Sequence, residues 1–306
     1  MKKPNLFILI FILILNFSCK PTVQPNEPYV EVLCSDDIET DDQVLNILHS
    51  LNPDFKNLYF SKTVSNEVKN VCKDIVLPTW IKLDFDGNRY CDFICRVNDG
   101  LSSYKIVIMQ PSNKKFEYVN LRRSFRVDSP CFLLRHISDR MGIIFNTLDQ
   151  EKTKNDSNIF WIQDTLVYSH KFFIERKLTA INYSIKKIIY KRTGCFGACP
   201  IYELEFNDDL KLNYNGIRFN KKDGKYLTTV TDSTFDNLTG ILNEIDFTKL
   251  KENYFVNVTD MESGILEVYY GDNKVKIIND YALQGTYGLI ALHKIMDEIS
   301  QRTDWK

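Results

Sequence analysis

Between Trp80 and Tyr168 the chain is cut into short runs of aromatic and β-branched residues, none of which keeps a helical period. Residues 80–83, 90–97, 104–109, 116–121, 131–136, 141–146 and 159–168 are each bounded by polar or glycine-containing stretches, the pattern of successive strands. The chain carries 16 Tyr and 20 Phe, and such residues favour strands, so the aromatic content is read as β structure rather than as a carbohydrate-stacking surface. No segment recurs at a fixed period, which argues against a propeller or a solenoid. One helix is expected before the strands, over 41–51, where Val44, Leu45, Ile47 and Leu48 keep helical spacing. A wholly polar stretch between Asp149 and Ser157 reads as a loop.

The first residues set the compartment. Lys2 and Lys3 precede an unbroken apolar run from Leu6 to Leu15, long enough for a signal-peptide core but short of the roughly 20 residues that a membrane-spanning helix needs. Asn16-Phe17-Ser18-Cys19 follows. Ser18-Cys19 after such a run resembles the lipobox of bacterial lipoproteins, with departures at Asn16 and Phe17. The resemblance implies that residues 1–18 are removed as a signal peptide, that Cys19 is lipidated, and that the protein is held in the bacterial cell envelope by its lipid anchor, facing the periplasm or the surface. Residues 19–28, with Pro21, Pro25 and Pro28, then form an extended tether.

Lys and Arg total 39 against 40 Asp and Glu, without the basic excess that phosphate neutralisation requires, so a nucleic-acid partner is not expected. One acidic stretch suggests a cation. Asp84, Asp86, Asn88 and Asp92 stand at positions one, three, five and nine of a tight loop, with the carbonyl of Tyr90 at position seven, the oxygen-rich arrangement that calcium takes. It resembles the Asp-rich loops of FG-GAP and related extracellular β-repeats, but glycine falls at position four and Arg89 at position six. The other reading is a hairpin turn whose carboxylates are solvated or cap their own backbone.

Past residue 181 the order of elements is easier to read. Residues 201–206, 210–214 and 226–230 are expected strands. A helix follows from about 231–233 with Phe235, Leu238, Ile241, Leu242 and Ile245 on one face. A hairpin over 265–270 and 274–278 leads to a last amphipathic helix over 287–299. The fold class is α+β: a β-rich region over 29–180, then a C-terminal antiparallel sheet with two packed helices over 181–306. The run RTGCFGACPIYELEF, the strand continuing to Gly216, and Asn279-Asp280-Tyr281 before the last helix resemble a family of uncharacterised bacterial domains of unknown function, found in cell-envelope lipoproteins. That resemblance covers about 181–306 and implies export and the α+β fold, without implying any catalytic residue.

Eight cysteines are present, and export makes disulfides possible. With Cys19 set aside the number is odd, so at least one of Cys34, Cys72, Cys91, Cys95, Cys131, Cys195 and Cys199 lacks an internal partner. On one straight strand Cys91 and Cys95 would lie roughly 13 Å apart, beyond the roughly 7 Å that a bridge allows. Between Cys195 and Cys199, Gly197 and Pro200 let the chain bend back, and a bridge is expected there. A redox role is poorly served, because the spacer is three residues and a strand follows where a helix start would lower a thiol pKa. His49, His136, His170 and His293 are scattered and read as surface or packing residues. There is no Gly-x-Ser-x-Gly elbow, His-Glu-x-x-His motif or phosphate-binding glycine loop. The expectation is a non-enzymatic binding or structural module of the envelope, with an unidentified envelope protein or ligand as partner. The alternative is an envelope hydrolase or thiol-redox enzyme.

Overall fold

A computed structural model describes residues 37–60, 78–123, 128–137, 140–148, 161–175, 181–302 and 304–305, all within one compact unit, Leu33–Lys306. The apolar start with Cys19, the tether, Cys34, Cys72 and the polar stretch 149–157 lie outside the described residues. Among the described residues there are three α-helices and three sheets in an α+β arrangement, and no helix is long and apolar enough to cross a membrane.

The N-terminal half is three layers. Strands β1 (Trp80–Leu83), β2 (Asp92–Asn98), β3 (Ser103–Ser112) and β4 (Lys115–Asn120) form an antiparallel sheet in that order. Successive residues of a strand point to opposite faces, and here both faces are covered. Phe93, Cys95, Val97, Ile106 and Ile108 meet Val44 and Leu48 of α1 (Asp41–Leu51). Ile94, Val107 and Met109 face a second antiparallel sheet, β5 (Asp128–Ile137), β6 (Arg140–Leu148), β7 (Trp161–Ser169) and β8 (Phe172–Glu175), through Phe132, Ile143, Phe145, Leu166 and Phe173. This is why residues 92–97 are buried without alternation. Helix α1 begins at a capping box: Thr40 Oγ1 accepts from the Gln43 amide at 3.3 Å and Gln43 Oε1 accepts from the Thr40 amide at 3.0 Å.

The C-terminal half is one seven-stranded sheet backed by two helices. Its strands are β9 (Ile185–Arg192), β10 (Ile201–Asn207), β11 (Lys211–Arg218), β12 (Gly224–Thr229), β13 (Asn253–Tyr254), β14 (Ser263–Tyr270) and β15 (Lys274–Tyr281). They lie in the order β12-β11-β10-β9-β14-β15-β13, antiparallel except for β13 on β15. No local pattern marks the central strand, β9, because Lys186, Lys187 and Lys191 interrupt its apolar residues. Ile188, Tyr190, Leu204, Phe206, Leu266 and Val268 pack on Leu238, Ile241 and Leu242 of α2 (Asp232–Glu244) and on Leu289, Leu292 and Met296 of α3 (Tyr287–Ser300). Each aliphatic side chain so buried contributes about 1.5–3 kcal/mol. Tyr190, Tyr202, Tyr214 and Tyr226 run across four adjacent strands at centroid spacings of 6.0, 6.4 and 6.1 Å, and Trp305 stacks on Tyr214 at 4.3 Å.

The two halves lock together at the start of α3. The first amides of a helix have no partner within it, and here Tyr287 N and Gly288 N donate to the two carboxylate oxygens of Glu175 on β8, at 2.6 and 2.9 Å. The Tyr287 ring enters the core between the two N-terminal sheets. It stands edge-on to Phe145, lies 4.5 Å from the Arg123 guanidinium, and donates its hydroxyl to Leu121 O at 2.8 Å. Arg123 also donates to Gly285 O (3.2 Å), Thr147 Oγ1 (2.7 Å) and Asp164 Oδ2 (3.0 Å). A second contact forms at the β7–β8 turn, where His170 Nδ1 lies 2.8 Å from Asn237 Oδ1 and Nε2 lies 3.4 Å from Glu244 Oε1. Gly240 makes room for that imidazole, since a Cβ there would fall 2.5 Å from it.

Candidate functional site

In the acidic loop, Asp84, Asp86 and Asp92 bring carboxylate oxygens within 4.8 Å of one another. The turn that gathers them uses left-handed backbone at Gly87 (φ 78°) and at Arg89 (φ 70°), so the sixth position of the loop is left-handed despite its side chain, at about 1–2 kcal/mol. Asp84 accepts from the amides of Gly87 (2.7 Å), Asn88 (3.2 Å) and Arg89 (2.8 Å). Asp92, fully buried, accepts from Phe85 N and Gln110 N, both at 2.8 Å. Asn88 accepts from Tyr90 N at 2.7 Å and donates to Asp86 Oδ2 at 3.0 Å and Gln110 O at 2.9 Å. Burial pushes the Asp92 carboxyl up to about 7, against the pull of its two amides and with the neighbouring Asp86 and Asp84 adding to the rise. Asp86 is raised as well, first by burial. Such a cluster can accept a hard cation, which would supply the positive charge that these carboxylates lack.

Cys195 and Cys199 are joined in a disulfide with their Cα atoms 5.7 Å apart. At the tip of this loop Phe196 is 90% exposed, while its amide is tied to Asp260 O at 2.9 Å. Glu262 Oε2 lies 3.4 Å from Cys199 Sγ, and Glu262 Oε1 takes the Arg192 guanidinium at 3.0 Å. In the N-terminal half Cys91 and Cys131 are each engaged in a disulfide, and Cys95 is a buried free thiol whose pKa burial pushes up. Cys91 and Cys95 are therefore not bridged to each other.

A further set of polar groups, part-buried to buried, carries little local signal in the sequence. Arg192 Nη1 donates to both carboxylate oxygens of Asp297 at 3.1 and 3.0 Å, and Tyr202 donates its hydroxyl to the same carboxylate. Deeper in, His293 Nε2 lies 2.8 Å from Asp280 Oδ2, with both groups buried. Asp280 also accepts from Gln284 N at 3.0 Å and Gly285 N at 2.9 Å, and so shapes the turn that delivers Tyr287. Tyr190 and His293 crowd against Gly264, where a Cβ would lie 2.8 Å from the Tyr190 hydroxyl and 2.6 Å from the imidazole. His293 is thus a core histidine with an acidic residue as its partner. Its one sequence signal was a polar residue within the apolar face of the last helix.

Among the described residues, no helix packs on the other face of the seven-stranded sheet. Cross-strand neighbours there run Ile277, Glu267, Ile189, Glu205, Asn213 and Leu227. Lys191 pairs with Glu267 at 2.7 Å, and Lys187 lies over the Tyr269 ring. Val275, Ile277 and Leu227 remain 48–60% exposed. A concavity of about 400 Å³ opens over β10, β11 and β12, lined by Glu203, Glu205, Asn213, Asn215, Lys225 and Leu227. The short asparagines of β11 form its floor between longer side chains on either side.

No curated protein matches the chain. Residues 186–300, from β9 through the last turn of α3, match the profile of a family described only as a domain of unknown function, and the C-terminal part of the chain is accordingly a DUF6438 domain.

Proposed function

We propose that this chain is a lipid-anchored protein of the bacterial cell envelope whose folded part is a binding module rather than an enzyme. The anchoring rests on the apolar run Leu6 to Leu15 followed by Ser18-Cys19. The observation that carries the binding role is the sheet face that no described helix covers, a rigidly backed surface on which Val275, Ile277 and Leu227 stand exposed beside a concavity of about 400 Å³. Its non-enzymatic character is supported by the charged groups of the C-terminal half, which are committed to one another: Arg192 to Asp297 and Glu262, and Asp280 to His293. Against the thiol-redox alternative stands Glu262. A carboxylate beside a sulfur disfavours the thiolate that exchange requires.

Two measurements test the reading. Cys19→Ser should abolish fatty-acid labelling and detergent-phase partitioning while leaving the fold intact, and labelling that survives removes the anchor. Crosslinking in intact envelopes should then capture a partner that is lost when Ile277→Asp is introduced. Capture indifferent to that change would remove the sheet face from the proposal.

A further inference from the structure

Strand β12 is an edge of the seven-stranded sheet, and its pairing with β11 shows which of its backbone groups are free. Val230 N donates to Leu210 O at 2.9 Å, and the register places Lys211 opposite Thr229, so Val230 and Leu210 are an opposed, hydrogen-bonded pair. Antiparallel strands alternate hydrogen-bonded and non-bonded pairs. Gly224, Tyr226 and Thr228 therefore turn their amides and carbonyls inward to β11, and Lys225, Leu227 and Thr229 turn theirs outward. All three side chains are exposed.

Natural edges are usually blunted by proline, a bulge, clustered charge or a covering segment. The edge β12 has no proline, keeps an uninterrupted register and carries one charged residue, Lys225. Beside it lies the concavity with two carboxylates, Glu203 and Glu205, against that single lysine. Nearby Lys191 is already paired with Glu267, so the concavity keeps an acidic excess.

We infer that β12 accepts an added antiparallel strand from an extended peptide segment bearing an arginine or lysine, whose side chain crosses Leu227 and Asn213 toward Glu205 and Glu203. Backbone bonds to Lys225, Leu227 and Thr229 supply affinity and the acidic concavity supplies selectivity, as in other strand-addition sites. The inference rests on the binding-module reading and narrows it to one edge and one class of partner.

The test uses the full-length protein in detergent and two synthetic heptapeptides of alternating threonine and valine, one with a central arginine and one with a central glutamate. The arginine peptide should slow hydrogen exchange at the amides of Lys225, Leu227 and Thr229 and bind at least tenfold more tightly than the glutamate peptide. Leu227→Pro removes only an outward amide, which an edge strand tolerates, and should abolish binding. The double change Glu203→Gln and Glu205→Gln should keep the exchange protection and erase the tenfold preference. Absence of protection, or binding undiminished by Leu227→Pro, overturns the inference. So does protection of the same amides that grows with protein concentration alone, which would make a second copy of the chain the occupant. Envelope crosslinking that depends on Ile277 but not on Leu227 would leave the binding module standing and remove this edge from it.

Discussion

The acidic loop of the N-terminal half and the ion pairs of the C-terminal half hold their carboxylates by opposite means. In the N-terminal half the acidic loop is largely satisfied from within: the donors to Asp84 are the amides of Gly87, Asn88 and Arg89, a few residues along. In the C-terminal half the partners come from far away in sequence, with Arg192 reaching Asp297 across 105 positions and Glu262 across 70. A locally satisfied carboxylate belongs to a turn and can be lost with the turn, whereas a distant ion pair ties whole elements together. The C-terminal sheet and its last helix are therefore expected to be the less forgiving part.

The sharpest way to break this contrast is to remove one acid from each half and compare urea unfolding. Asp280→Ala leaves His293 and the amides of Gln284 and Gly285 without their acceptor, and should cost about 3–5 kcal/mol. Asp84→Ala should cost about 0.5–2 kcal/mol, as the loss of a capping side chain does. Equal losses would end the distinction. Tyr287→Ala should cost about 3–5 kcal/mol by emptying an aromatic site between the N-terminal sheets, and an effect below about 1 kcal/mol would show that the halves do not depend on that plug.

The acidic loop gives the next largest effect, and it runs with pH. Folded Asp92 keeps its proton up to about pH 7, higher than in the unfolded chain, so the native state binds more protons between about pH 4 and pH 7. Stability contributed by this group should then fall as pH rises through that window, by at most about 4 kcal/mol. Millimolar calcium at pH 7 should raise the melting temperature if the cluster holds the ion, and Asp86→Ala should cancel the rise. Identical melting in calcium and in chelator would leave a backbone-capped turn. Replacing Cys195 and Cys199 together by Ser should cost no more than about 2 kcal/mol, since the closed loop is only about five residues long. Non-reducing peptide mapping should recover their bridge, and quantitative alkylation of both thiols without reductant would refute it. Smallest of all, Lys191→Ala on the open face should change stability by less than about 1 kcal/mol, as exposed ion pairs do.

The same division explains what the sequence made legible. Helix α1, strand β1 and the last helix follow from local spacing and capping, and the acidic loop follows from residues adjacent in the chain. Strand β9 did not, because Lys187 and Lys191 point to the open face and only the fold reveals that such a face exists. Strand β8 is four residues long, and its Glu175 gains meaning only from the helix it caps, 112 positions away. His293 looked like a packing residue. Its partner Asp280 lies on another element, and no periodicity announces a pair that forms only when β15 and α3 are brought together.

Tyr287 also bears on how the protein is made. The ring that completes the core between the first two sheets lies 112 positions beyond Glu175 on their last strand. Until α3 docks, the N-terminal sandwich therefore has an incompletely filled core, and a factor that shields exposed apolar surface would find its substrate there.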